Sequence, residues 1–273
     1  MTLIPTAPLS LLGLSLLICL AVSALGFRRS DWFISIGYGL SIAAQALIFS
    51  LLHLGTLDFW LVAQQLLLLA YGLRLALFLL SRERSPSYAR ELAASKERSV
   101  SISGGAMIGM WIGVAFLYVS MYAPGLLSLV AASNGASLPS LPIGAVIMLI
   151  GLALEAGADA QKSRFKAANP QRFVSTGLFA FVRTPNYLGE MLFWIGAFVS
   201  GISAYQTIGD WLLAALGILC IELVMLGAAR RLEQKQADRY AGDPAFETYA
   251  KTVPVLIPFV PLYSLRDWKY YLG

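Results

Sequence analysis

Charge is scarce in this chain: Asp, Glu, Lys and Arg make up 13% of its 273 residues, against 58% hydrophobic. Soluble domains carry roughly a quarter charged residues, so the composition excludes an ordinary water-soluble globule and points to lipid as the solvent. Histidine occurs once, at His53, and cysteine twice, at Cys19 and Cys220. With no Cys/His cluster there is no metal-ligand pattern. A Ser/His/Asp or Cys/His nucleophile system is equally short of partners. Both cysteines fall in apolar runs, so no disulfide framework is expected. Period-two alternation is missing, which excludes a β-barrel. No strand precedes the glycines of Gly104-Gly105-Ala-Met-Ile-Gly109, so they do not open a Rossmann unit. Long polar linkers, low-complexity tracts and repeats are absent too, and a single domain over 1–273 is the economical expectation. The N-terminal apolar run lacks a basic leader and reads as a retained first helix.

What the chain does contain is apolar runs long enough to cross a bilayer, which takes about 17–25 residues each. They fall at 5–26, 31–53, 58–81, 105–131, 141–160, 187–204 and 209–229. The expected fold is an all-α integral membrane bundle of seven transmembrane helices. Gly105, Gly109 and Gly113 recur every four residues in the fourth run, where close helix–helix packing is expected.

The basic residues then set an orientation. Arg28 and Arg29 follow the first run; Arg82, Arg84, Arg90, Lys96 and Arg98 follow the third. Lys162, Arg164, Lys166, Arg172 and Arg183 follow the fifth; Arg230, Arg231, Lys235, Arg239, Lys251, Arg266 and Lys269 follow the seventh. These are 19 of the 20 Lys and Arg, and the other, Arg74, lies within the third run. The positive-inside rule places the N-terminus outside and the C-terminus in the cytosol. The opposite loops hold only His53, Asp58 and the uncharged segment 132–140, and His53 is expected at the interface rather than on a metal. The net charge of +5 needs no nucleic acid: anionic lipid accounts for it, and the same charges suit a phosphorylated ligand.

Ionisable side chains inside apolar runs are costly and usually have partners or a task. Glu155, Asp159, Lys162 and Lys166 follow i, i+4, i+7, i+11 spacing and share one helix face. That face suits hydroxyls or amides at its acidic end and phosphates at its basic end; it equally suits a set of intrahelical ion pairs. Thr184-Pro185 is a helix-start signal. Asn186 and Glu190 then lie i, i+4, with Gly189 allowing close backbone approach, and capping does not account for Glu190. Tyr71 and Arg74 stand i, i+3; the arginine either snorkels or assists the Tyr71 hydroxyl as a proton donor. Glu222 is a further carboxylate in the seventh run, without an assigned role. Arg231, Lys235 and Arg239 form a basic stripe that fits lipid headgroups or a ligand. Trp268, Tyr270 and Tyr271 read as interface aromatics.

As an ordered set, several motifs carry a resemblance. They are Tyr71-Gly-Leu-Arg74, Glu155-Ala-Gly-Ala-Asp159-Ala-Gln-Lys, Gly177-Leu-Phe179, Arg183-Thr-Pro-Asn-Tyr-Leu-Gly-Glu190, Phe246-Glu-Thr-Tyr-Ala-Lys251 and Leu256-Ile-Pro-Phe259. Over about 60–273 the chain resembles the steroid 5α-reductase superfamily (3-oxo-5α-steroid 4-dehydrogenase-like enzymes), most closely its bacterial domain-of-unknown-function branch. The resemblance implies a seven-helix enzyme that binds NADPH in a cytosol-facing cavity. Such an enzyme reduces a carbon–carbon double bond conjugated to a carbonyl in a lipophilic substrate. By position, Asp159, Lys166, Arg172, Asn186 and Glu190 resemble cofactor contacts, with Glu155 where the family often has asparagine. Arg84, or Arg82, resembles the basic residue near the end of the third helix. Arg231, Lys235 and Arg239 are nearest by spacing to the arginine, histidine and tyrosine of the last helix. Tyr71 falls on the tyrosine that hydrogen-bonds the substrate carbonyl, with Arg74 assisting. The glutamate usual in helix 2 is missing; 31–53 offers Tyr38 and Gln45 but no carboxylate beyond Asp31. The expected setting is a bacterial inner membrane, with lipids and a lipophilic small molecule as partners and no metal, nucleic acid or obligatory protein partner. The Pro-Asn-Tyr-Leu-Gly-Glu segment alone also resembles isoprenylcysteine carboxyl methyltransferases, which use S-adenosylmethionine; a non-catalytic lipid-binding protein is the third reading.

Overall fold

The computed structural model describes residues 2–84, 93, 97 and 102–272. Arg90, Lys96 and Arg98 of the expected basic loop lie outside the described residues. Among the described residues, seven helical segments, three of them counted with adjoining 3-10 turns (Leu9–Phe27, Ser30–Leu52 and Pro185–Ala204), are long and apolar enough to cross a membrane. Their α-helices are α1 Leu9–Ser23, α2 Ile36–Leu52, α3 Phe59–Glu83, α4 Gly104–Ser133, α5 Ser140–Ala168, α6 Pro185–Gly201 and α7 Ile208–Arg239. An eighth, α8 Pro244–Thr252, is short. No strand occurs among the described residues, as an apolar solvent requires of a chain that does not close a barrel. The seven spans fall where the apolar runs place them, and α5 and α7 continue about two turns or more past the expected ends into charged sequence.

Helix starts follow local chemistry. Asp58 Oδ1 accepts from Leu61 N at 2.8 Å at the head of α3. Ser103 Oγ accepts from Ala106 N at 3.3 Å for α4. Asp243, followed by Pro244 at the first helical position, accepts from Ala245 N and Phe246 N for α8. Each satisfies an amide that the helix itself leaves open. His53 ends α2, with its ring Nδ1 2.9 Å from Phe49 O.

The chain divides into two compact units: residues 1–145 with 197–218, and 146–196 with 219–273. In the first unit α4 is the central element. Its apolar stretch is 89% buried within the protein, against 28% for α1, and α1, α2 and α3 pack around it. Apolar side chains gain little by leaving lipid, so backbone proximity and interhelical hydrogen bonds hold such elements together. Gln45 accepts from Ser15 Oγ at 2.5 Å, Gln64 donates to Ser200 Oγ at 2.6 Å, and Gln65 accepts from Tyr122 Oη at 2.8 Å. Asp210, fully buried at the start of α7, accepts from Thr6 N, Gln206 N and Thr207 N and ties down the N-terminal segment.

Helices α2 and α3 meet through bare backbone. A Cβ on Gly39 would stand 2.7 Å from Gly72 O, and one on Gly72 2.3 Å from Gly39 O. The glycines singled out in α4 behave otherwise. A Cβ on Gly105, Gly109 or Gly113 would meet nothing within 4 Å. The expected close packing there is wrong: that end of α4 has no neighbour among the described residues at those positions.

The second unit has three small cores. Ala158, Val174 and Phe179 form one, and Ala229, Val255, Leu256 and Leu265 another. Tyr240, Phe246 and Tyr249 form the third around Phe173, with ring centroids 5.3–5.6 Å from Phe173. These aromatics are the spacing behind the Phe246-Glu-Thr-Tyr motif. Gly177 takes a left-handed φ of +59°, open to glycine at little cost, and Gln161 clasps the turn, accepting from Leu178 N and donating to Thr176 O.

Candidate functional site

Within the second unit, α5 and α6 meet at glycines. A Cβ on Gly189 would lie 2.5 Å from Glu155 N, and one on Gly151 2.4 Å from Phe193 N. No side chain fits at either place, so the backbones touch. The expected role of Gly189 is thereby met, and the stretch Asn186–Glu190 is set against α5 at Glu155. Glu155, Asp159 and Glu190 are all buried, at 3%, 8% and 7% exposure. Three carboxylates at such depth need donors or a ligand nearby.

Among the buried acceptors of this unit, Asn186 Oδ1 and Glu222 Oε1 find no donor among the described residues. Glu222, on α7, also stands close enough to Glu190 for the two carboxylates to interact electrostatically. A buried acceptor without a donor costs roughly 1–3 kcal/mol, so both atoms invite a group that brings N–H or O–H.

The start of α6 is built from backbone and one ion pair. Thr184 O accepts from Leu188 N as a cap residue's carbonyl does, but the Thr184 hydroxyl donates to Val255 O at 2.7 Å. The expected side-chain cap is therefore spent on the C-terminal segment. Arg183 N and Thr184 N donate to Pro254 O and Val255 O at 2.9 and 3.1 Å. Arg183 pairs with Glu233 of α7 at 3.4 Å, both side chains being buried, and also donates to Tyr263 O. Glu233 takes Leu265 N at 2.8 Å on its other oxygen. Glu233 escaped the sequence reading because it lies 50 residues from its partner and no spacing rule links the two.

The basic residues divide by what they touch. Lys166 donates to Tyr240 Oη at 2.7 Å, to Arg172 O at 2.5 Å and to Pro170 O at 3.5 Å. Arg239 donates to Pro170 O at 3.0 Å and lies over the Tyr240 ring. These two cations therefore hold the turn after α5 against the end of α7. The side chains of Arg172, Arg231 and Lys235 are exposed. Tyr249 donates to Phe179 O at 2.7 Å, and burial pushes its phenol pKa up.

Tyr71, Arg74 and Arg84 belong to the first unit. Tyr71 is fully buried and its hydroxyl is 2.7 Å from that of Tyr38, itself 6% exposed. Arg74 lies over the Phe78 ring at 5.9 Å. Arg84 closes α3 as its exposed C-cap. Neither the apolar groove of about 490 Å³ lined by Leu9, Phe116 and Leu212 nor the cleft of about 450 Å³ at Tyr240, Lys251 and Arg266 includes any predicted site residue. The groove is larger but has no polar side chain with which to orient a ligand.

Comparison with known proteins follows the same lines. An uncharacterized protein of Schizosaccharomyces pombe is 31% identical over 87 residues, 32% of this chain and 24% of its own. A very-long-chain enoyl-CoA reductase of Dictyostelium discoideum is 32% identical over 95 residues, 34% of this chain and 27% of its own. The chain thus spans about a quarter of the length of these curated relatives. No solved structure matches it significantly. A family model described as protein of unknown function (DUF1295) matches residues 24–253, beginning well before the motif-bearing stretch and taking in α2. With that match covering most of the chain, the protein belongs to the DUF1295 family, which is related to steroid 5α-reductase-like proteins.

Proposed function

We propose that this protein is a membrane reductase that uses NADPH to saturate a carbon–carbon double bond conjugated to a carbonyl in a lipophilic substrate. NADPH supplies a hydride to the β-carbon and leaves as NADP⁺, while a proton makes up the balance at the α-carbon. The observation that carries this reading is Asn186 Oδ1, a buried acceptor with no donor among the described residues, on the α6 stretch set against buried Glu155. A nicotinamide carboxamide presents both an NH₂ and a carbonyl. It fits Asn186 in either amide orientation. Glu190 and Glu222 add acceptors for its NH₂, and Asp159 and Glu155 suit ribose hydroxyls. Arg172, Arg231 and Lys235 hold exposed cations for the phosphates. Lys166 and Arg239 reach phosphate by exchanging their present oxygen partners. Tyr71, with Arg74, polarises the carbonyl or delivers the proton. Arg84 adds a positive charge near the end of α3.

The enoyl-CoA reductase named among the relatives supports the same reaction class, because its substrate also carries a double bond next to a carbonyl. The placement of Lys and Arg supports a cytosolic C-terminus, and we read a bacterial inner membrane as the setting. Purified protein in detergent should be stabilised by NADPH and not by S-adenosylmethionine in a thermal-shift comparison. A shift with S-adenosylmethionine alone would instead assign the protein to the methyltransferases, and a shift with neither would leave it a lipid binder. Glu190→Gln and Tyr71→Phe should each abolish NADPH oxidation with a turned-over enone while keeping the wild-type melting temperature within a few degrees.

A further inference from the structure

The contact between α2 and α3 does more than join two helices. The residue preceding Gly39 is Tyr38 and the residue preceding Gly72 is Tyr71. Bare backbone at both glycines brings the helices so close that the two hydroxyls come within 2.7 Å. The Tyr38 ring is fixed from its other face, stacked on Tyr118 with centroids 5.4 Å apart, and Tyr118 is itself anchored by a 2.6 Å hydrogen bond to Phe33 O. A side chain held in this way keeps its hydroxyl at one point.

Two phenols carry two hydroxyl hydrogens, and only one can lie on the line between the oxygens. The other is directed beyond the pair. When Tyr38 donates inward, the outward hydrogen is on Tyr71. When Tyr71 then gives that hydrogen to an acceptor, the charge gathering on its oxygen is met by the Tyr38 O–H. A preset donor aimed at developing charge is the arrangement that lowers a barrier most. An ionised carboxylate in the place of Tyr38 could only accept and would oppose that charge.

We propose that Tyr38 is a positioning residue for Tyr71: its hydroxyl donates to Tyr71 Oη, turns the Tyr71 hydrogen toward the substrate carbonyl, and steadies the phenolate that forms. In the step it assists, the Tyr71 O–H bond breaks as the carbonyl oxygen gains that hydrogen. Solvent returns a proton to Tyr71 while the resulting enol rearranges to the saturated carbonyl compound. The assignment rests on the reductase reading above.

Tyr38→Phe tests it, because the ring, the stack on Tyr118 and the glycine contact all remain. The probes are trans-2-hexadecenoyl-CoA and, in parallel, a steroid 4-en-3-one, each with NADPH. The expected result is a fall in kcat of about tenfold to a hundredfold, no more than the bottom of the range for losing a general acid outright, with KM within about twofold. The alkaline limb of the kcat–pH profile should move to higher pH, since Tyr71 loses the donor that favours its ionised form. Gly109→Ala, at a position where a Cβ meets none of the described residues, should leave that limb in place. A kcat for Tyr38→Phe within twofold of wild type overturns the assignment while the reductase reading stands. So does a loss of activity that tracks a loss of thermal stability with the limb unmoved. Wild-type protein inert toward both probes overturns the reductase reading and this assignment with it.

Discussion

Arg183 and Glu233 show what one buried pair can organise. Their 3.4 Å contact is shielded from water on both sides, and each partner also holds backbone of the C-terminal segment at Tyr263 and Leu265. Removing one partner strands the other charge, which costs roughly 3–5 kcal/mol. Glu233→Ala should therefore lower the thermal midpoint sharply, whereas Arg183→Met with Glu233→Leu should cost much less, because no charge is left behind. Equal destabilisation by single and double variants would show that the pair acts through packing alone. Glu222 presents the opposite case, a carboxylate whose buried Oε1 has no donor among the described residues. Glu222→Leu should raise the midpoint of the ligand-free protein, by an amount in the range of about 1–3 kcal/mol set by the cost of an unanswered acceptor. The same variant should shrink the shift that NADPH produces. An unchanged midpoint would mean that solvent reaches the carboxylate. At this scale the sequence is legible where spacing is local. Glu155, Asp159, Asn186 and Glu190 could be chosen because each sits in an apolar run a helical turn or so from another. Glu233 could not, and Tyr38 stood out only as a polar residue of helix 2, since the partners of both lie on other segments of the chain.

Glycine has two behaviours among the helices. Gly39, Gly72, Gly151 and Gly189 leave no room for a methyl group, while a methyl on Gly105, Gly109 or Gly113 meets none of the described residues. Overpacking at a closed contact costs typically about 1–3 kcal/mol and more when backbone is the obstacle. Gly72→Leu should therefore reduce folded yield and separate Tyr38 from Tyr71, and Gly189→Leu should disturb the α5–α6 contact. Gly109→Leu should melt within a few degrees of wild type, as judged by size-exclusion profiles and thermal unfolding in one detergent. Every-fourth spacing cannot tell these cases apart, because a glycine row becomes a contact only when another helix is delivered to it. The short helix α8 was missed for a different reason. It is too brief for apolar periodicity, although Asp243-Pro244 is a legible start signal once the aromatic spacing of Phe246 and Tyr249 is read as a packing face.

For the molecule as a whole, scarcity of charge was the most informative property. Seven apolar runs became seven helices because a chain in lipid must satisfy its backbone locally, which leaves little freedom in secondary structure. The division into two compact units was not visible, since the boundary passes through α5, α6 and α7 and no linker marks it. Orientation remains open to a direct test. With Cys19 and Cys220 replaced by alanine, a cysteine at Ser137 should react with a membrane-impermeant maleimide added to intact cells, and one at Lys269 only after permeabilisation. The reverse pattern would invert the proposed topology and with it the side from which NADPH is proposed to arrive. The Lys166 clasp then bears on time rather than affinity. Its ammonium already serves the Tyr240 hydroxyl and the Arg172 and Pro170 carbonyls, so an incoming phosphate has to win it away from a turn that the lysine itself holds closed. Association should be slower than charge attraction alone would give, and it should saturate with NADPH concentration as the loosening of that turn becomes the limiting event.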